Sequence, residues 1–137
     1  MQVEAITIGP SDGLASVESA SAVAGCGLEG DRYFHADGSK PNRALTLIEA
    51  EVLEEVGLTG PQSRRQVVVR GVRLNDLVGK RFTVGDVECL GVAVSEPCLH
   101  LQSLTRPGII DELVHRAGLE AEILSSGTIS IGDPIRV

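Results

Sequence analysis

The sequence predicts a mainly β fold: a barrel or strongly curved sheet of short strands with two or three short α-helices. Three observations predict it. Short β-prone runs recur from one end to the other, divided by Gly-Pro, Gly-Asp and Gly-rich punctuation. Only two stretches carry an apolar stripe at helical spacing, around residues 48–56 and 109–117. The chain of 137 residues has the size of one domain and shows no shift in composition along its length, so a single domain over 1–137 is expected.

The elements follow in order. Gln2 to Ile8 (QVEAITI) reads as a strand closed by Gly9-Pro10, and Leu14 to Ala24 as a second strand. A Gly-rich stretch, Gly25 to Asp31, then opens a long polar connection that runs to Arg43. Thr46 and Glu49 have capping-box spacing ahead of a stripe made by Ile48, Val52, Leu53 and Val56, and Gly57 supplies the stop. After Gly60-Pro61, the run Arg64 to Val69 reads as a strand, followed by short strands at Leu74–Leu77, Arg81–Val84 and Val87–Val94. Pro97 cannot donate to a sheet ladder and ends the last of these. Ile109, Ile110, Leu113, Val114 and Ala117 form a second helical stripe, with acids at its start, His115 and Arg116 at its end and Gly118 after it. Three strands, Leu119–Leu124, Thr128–Ile131 and Pro134–Val137, finish the chain, and Gly85-Asp86 and Gly132-Asp133 both read as tight reversals.

Composition narrows the function. Apolar residues make up 42% of the chain but aromatics only 2%, with no Trp, one Tyr and two Phe, so the core must be aliphatic. The same scarcity removes the stacking platforms that single-stranded nucleic acid needs, and a formal charge of −7 repels phosphate backbones. No nucleic-acid partner is expected. No long apolar run and no basic-then-apolar start is present, so we expect a soluble, cytoplasmic protein without a membrane partner. Three cysteines at irregular spacing, Cys26, Cys89 and Cys98, do not make a disulfide framework. Oligomeric state is left open.

Among those thiols Cys98 stands apart. It follows Pro97 in a loop or at a helix start and has His100 two residues on, a setting that favours the thiolate and hence a nucleophile or metal ligand. The alternative is a buried, inert thiol. Cys89 lies inside an apolar strand and reads as core, whereas Cys26, between two glycines, reads as exposed and incidental. Cys98-x-His100 is the only close ligand pair, so a structural zinc site is not expected. A second signal is the basic run Arg64, Arg65, Arg70, Arg73, Lys80 and Arg81, with Asp76 the only acid among them. It is either a solvated face or an anion pocket. In the latter, a guanidinium fork and N–H groups of the Gly25–Gly30 loop would grip a phosphate or carboxylate. Neither a dinucleotide fingerprint nor a Gly-x-Ser-x-Gly elbow occurs. Asp31, Glu29 and Glu96 are candidates for orienting neighbours, or members of ordinary salt bridges.

Taken together, these segments resemble one family. Gly27-Leu28-Glu29-Gly30-Asp31-Arg32, Leu45-Thr46-Leu47-Ile48, Arg64-Arg65-Gln66, Leu77-x-Gly79-Lys80-x-Phe82-x-Val84-Gly85-Asp86, Glu96-Pro97-Cys98, Gly118-Leu119-x-Ala121 and Gly127-x-Ile129-x-Ile131-Gly132-Asp133 follow the order of a MOSC domain, the module at the C-terminus of molybdenum-cofactor sulfurases. The resemblance implies a MOSC-type β-barrel and a role tied to the molybdenum cofactor (molybdopterin). By position, Cys98 would carry a persulfide or ligate molybdenum, with His100 beside it as a proton donor where the family often has Lys. Arg64 and Arg65 would meet the pterin or its phosphate, with Gln66 standing where the family commonly has Asn. Asp31 and Arg32 would shape the same pocket, as would Glu96 ahead of the cysteine. Three roles follow from this. One is a sulfur carrier or cofactor-binding protein served by a cysteine desulfurase or a molybdoenzyme partner. Another is a small molybdenum-dependent oxidoreductase that reduces N-hydroxylated compounds with a separate electron donor. The third is a non-catalytic module. No room exists in this length for the pyridoxal-phosphate domain of the sulfurases, so a stand-alone MOSC domain is expected, one that works with a partner or binds a smaller ligand.

Overall fold

The computed structural model describes residues 1–10, 12–96 and 108–137, with only the backbone of Asp111. Its strands are β1 (Gln2–Ile8), β2 (Ala15–Val17), β3 (Ser19–Val23), β4 (Gly27–Leu28), β5 (Leu45–Glu49), β6 (Val67–Arg70), β7 (Arg81–Val84), β8 (Val87–Val94), β9 (Leu119–Ile123), β10 (Gly127–Ser130) and β11 (Ile135–Arg136). The helices are α1 (Ala50–Val56), α2 (Gly60–Ser63) and α3 (Ile109–Leu113). The expected mainly β class is the one found.

Eight strands form one sheet in the order β11-β7-β8-β9-β5-β6-β1-β2, antiparallel except for the β5–β6 pair. The sheet curls until distant members touch. Although five strands separate β11 from β1 in that order, Val3 N donates to Asp133 O at 2.9 Å, Gly132 N to Val3 O at 2.8 Å and Ile135 N to Met1 O at 3.0 Å. A second sheet, β10-β3-β4, shares the same aliphatic core: Ala20, Ala22, Leu28 and Ile129 pack with Val3, Ile6, Leu45, Val67, Phe82 and Ile123. Alternation along β8 and β9 turns Val87, Cys89, Leu119, Ala121 and Ile123 into that core. Outside the sheet, Val52 and Val56 of α1 meet Ile109 and Leu113 of α3 in a smaller cluster with Ala117.

Four expectations are corrected. The second strand is two, β2 and β3, because the chain leaves one sheet for the other around Glu18. Thr46 and Glu49 are not a capping box, since both lie in β5, held between β6 and β9, and α1 starts only at Ala50. The box belongs instead to α2, where Thr59 N donates to Gln62 Oε1 at 2.8 Å and Gln62 N to Thr59 Oγ1 at 3.3 Å. Leu74–Leu77 is a 3₁₀ turn rather than a strand. It seats directly on β8, where any side chain at Gly91 would place its Cβ 2.0 Å from the Leu77 carbonyl oxygen. The helix after residue 108 stops at Leu113, and His115, expected at its end, has left-handed backbone at φ 62°.

Candidate functional site

Arg64 and Arg65 do not sit on a strand. Arg64 ends α2 in left-handed conformation at φ 60°, a shape seldom adopted by residues other than glycine, and Val67 is the first residue of β6. The corner is fastened from several sides. Arg65 N donates to Ser63 Oγ at 3.2 Å, and the Arg64 carbonyl accepts from Arg32 Nη2 at 2.7 Å. The Arg65 side chain reaches away from α2, with Nε donating to Ala117 O at 2.8 Å and Nη2 to Glu96 O at 3.3 Å.

Behind this corner lies a buried polar knot. The Asp31 carboxylate is fully enclosed and accepts from Gln66 Nε2 at 2.6 Å, Gly9 N and Tyr33 N at 3.1 Å each, and Arg32 Nη1 at 3.3 Å. Gln66, 0% exposed, turns its amide oxygen to Thr46 N at 2.8 Å, and its own N–H donates to Thr46 Oγ1 at 3.0 Å. Each buried side-chain nitrogen and oxygen of Asp31, Gln66 and Thr46 therefore has a partner, as burial requires. Arg32 also lies over the Tyr33 ring, 4.3 Å from its centroid.

In front of the corner is a cavity of about 160 Å³ lined by Tyr33, Arg43, Thr46, Arg65, Ser95, Glu96 and Glu120. Arg43, from the turn Pro41–Arg43, is two-thirds exposed and meets Glu120 Oε1 only at 3.5 Å. Glu96 turns both carboxylate oxygens toward His115, one 3.2 Å from the backbone N and the other 3.1 Å from Nδ1. Ser95 is buried at the end of β8, its N–H donating to Gly118 O at 2.8 Å.

The structure thus brings together Asp31, Arg32, Arg64 and Gln66 in one bonded set, and Arg65 with Glu96 at the cavity. Cys98 and His100 lie outside the described residues. The Gly25–Gly30 loop contains β4, and its amides at Gly25, Cys26 and Glu29 already donate to the carbonyls of Ile123, Val23 and Ser21. The basic run also disperses: Arg70 pairs with Glu4 and Glu54, and Arg81 with Glu88, both on the surface. Cys89 is the core thiol expected of it, and burial pushes its pKa up to about 12. Cys26 is half-buried, with Sγ 3.7 Å from Ala36 O, rather than exposed. Among the described residues no group of His, Cys, Asp and Glu could hold a metal ion, and no helix is long and apolar enough to cross a membrane.

Sequence reasoning missed Arg43, Tyr33, Ser95 and Glu120 as cavity residues. They arrive from separate turns and strands, and the one signal available was the outward alternation of Glu120 on β9.

No protein-family model matches the chain, and no curated protein sequence matches it. Solved structures do. The YuaD protein of Bacillus subtilis superposes with a TM-score of 0.81 at 16% identity, over 98% of this chain and 93% of its own. YiiM of Geobacillus stearothermophilus superposes at 0.73 with 16% identity over 98% of this chain and 73% of its own. For YiiM of Escherichia coli the values are 0.72 and 18%, over 99% and 69%. At such identities the likeness establishes the fold: a curled, half-barrel β sheet with short helices, the architecture implied by the MOSC resemblance.

Proposed function

We propose that this protein is a molybdenum-cofactor-related sulfur carrier, in which Cys98 takes up sulfane sulfur as a persulfide. The supporting observation is the cavity wall. Glu96, two peptide units ahead of Cys98 and so within about 7 Å of it along the chain, shares that wall with Arg43 and Arg65. In the loading step, the Cys98 thiolate attacks the terminal sulfur of a donor persulfide such as that of a cysteine desulfurase. The donor's S–S bond breaks as the new one forms, and the donor leaves as a thiolate, so no external oxidant is needed. His100, two residues on, is the group we assign to proton management near neutral pH.

The donor set of the wall fits the cofactor. Arg43 offers an exposed guanidinium suited to a phosphate, and Glu120 offers a carboxylate suited to the N–H edge of a pterin ring. The cavity is smaller than the ~300–1,000 Å³ usual for small-molecule sites, so a ligand of that size would rest partly over its rim. When bound, such a group would supply the molybdenum centre that accepts the sulfur, while Arg43, Glu120 and Ser95 would orient it.

Cyanide-labile sulfur measured after incubation with a desulfurase and cysteine tests the reading. Near-stoichiometric label on the parent and on Cys89→Ala, lost in Cys98→Ala, is the expected result. A parent that stays unlabelled, or a Cys98→Ala variant that labels as well as the parent, overturns it.

A further inference from the structure

We infer that Arg65 is a positioning residue that clasps the two stems of the Cys98 segment through main-chain carbonyls, rather than a contact for an anionic ligand. The role given to Cys98 rests on the proposed function; the clasp itself does not. Strands β8 and β9 pair as far as Val94 opposite Leu119, and Ser95 N adds one more rung to Gly118 O at 2.8 Å. Beyond that point the chain departs at Glu96 and returns at Ala117. The Arg65 fork bridges this mouth, with Nε on Ala117 O at 2.8 Å and Nη2 on Glu96 O at 3.3 Å. It stands where the next rung of the ladder would be. Glu96 adds a second tie through its two contacts with His115, whose carbonyl in turn accepts from Asn75 Nδ2 at 2.7 Å.

The clasp is anchored in the core. Asp31, enclosed and held by two backbone amides and Gln66, receives Arg32 Nη1, and Arg32 Nη2 holds the Arg64 carbonyl. The amide formed by that carbonyl belongs to Arg65, which is fastened again by Ser63 Oγ. A continuous bonded path therefore runs from the Gly27–Arg32 motif to Glu96 and Ala117, the two stems of residues 97–116. A planar fork with fixed N–H directions can span two carbonyls on separate strands; a lysine ammonium carries the same charge but lacks that geometry.

The experiment compares the parent with Arg65→Ala and Arg65→Lys by residue-resolved hydrogen exchange and by the rate of persulfide loading from a desulfurase. In both variants we expect exchange at Ser95 and at residues 115–118 to quicken by roughly tenfold or more, with the β7–β8 turn unchanged. Loading of Cys98 is expected to slow several-fold in both. Unchanged exchange at the stems overturns the clasp, and full rescue of loading by Arg65→Lys overturns it in favour of a charge effect. Quickened exchange with undiminished loading in Arg65→Ala overturns the positioning role. If the stems loosen as expected but the parent never takes up sulfur, the clasp stands and the sulfur-carrier reading falls.

Discussion

Arg65 precedes and Arg70 ends the same short strand, β6, and their guanidinium groups do different things at its two ends. Arg70 closes β6 on the outer surface, where it meets Glu4 and Glu54, and the two carboxylates hold its pKa up. Arg65, just ahead of the strand, reaches two main-chain carbonyls from different parts of the fold, beside a knot of buried polar groups. In the sequence both belong to one basic run. The difference teaches that charge density along a chain says little about where the donors point. At the Arg70 end water competes for every contact, so the ion pairs are weakly stabilising. At the Arg65 end the partners are main-chain carbonyls and the contact with Ala117 is partly buried, so geometry decides.

The sharpest way to test that contrast is to break the knot behind Arg65. Gln66→Leu nearly conserves volume but removes the donor to Asp31 Oδ2 and the acceptor for Thr46 N. Thr46 N then has no acceptor and Asp31 Oδ2 keeps only Tyr33 N; at about 1–3 kcal/mol for each lost bond, a loss of about 2–6 kcal/mol in unfolding free energy is expected. Urea denaturation checks it. A loss no larger than that of an ordinary surface substitution would mean that the knot adds nothing beyond filling space, and the comparison would collapse.

This knot also shows what was legible beforehand and what was not. The segments that carry it, Gly27–Arg32 and Arg64–Gln66, stood out in the sequence, as did most strands and the aliphatic core, because period-two alternation and turn residues are local signals. Their joining was not local. Thr46 has capping-box spacing to Glu49, but pairing with β9 on one side and β6 on the other outweighs that preference, and its hydroxyl serves Gln66 instead. The genuine box at Thr59 was hidden because Gly60-Pro61 reads as a break, although Pro is well suited to a first helical turn. Arg64 looked like the opening of a strand. Its left-handed backbone is stabilised by Arg32, thirty-two residues away in sequence, a contact that no window around Arg64 contains. For the same reason Arg43 and Glu120, which meet across the cavity, carried no shared motif.

At the other end of β6 the expected effects are smaller. Arg70→Ala should lower the thermal midpoint far less than Gln66→Leu, and the difference from the parent should shrink as salt is added, because exposed pairs are screened over about 10 Å at 0.1 M. Melting curves at low and high ionic strength measure this. A salt-independent loss comparable to that of Gln66→Leu would show that Arg70, Glu4 and Glu54 form a rigid network despite their exposure, and the two ends of the strand would no longer differ in kind.

The smallest effect belongs to Glu49, which lies opposite Val69, the residue before Arg70, in the β5–β6 register. Partial burial raises its carboxyl pKa above the ordinary value of 4.5, with Glu51 and Asp76 adding to the shift and the Leu74 backbone and Arg73 opposing it. With the folded pKa above the unfolded one, the native state holds more protons within that window. This carboxyl therefore makes stability fall as pH rises through it, starting from the unfolded value and ending above the folded one. Glu49→Gln removes the charge and keeps the shape. Its thermal midpoint should match the parent's at the acid end of the window and slightly exceed it at neutral pH. Midpoints taken across that range decide the point. A variant less stable than the parent at neutral pH would show that the Leu74 and Arg73 interactions outweigh the cost of burying the charge, and that this end of β6 contains a geometric contact of the kind found at Arg65.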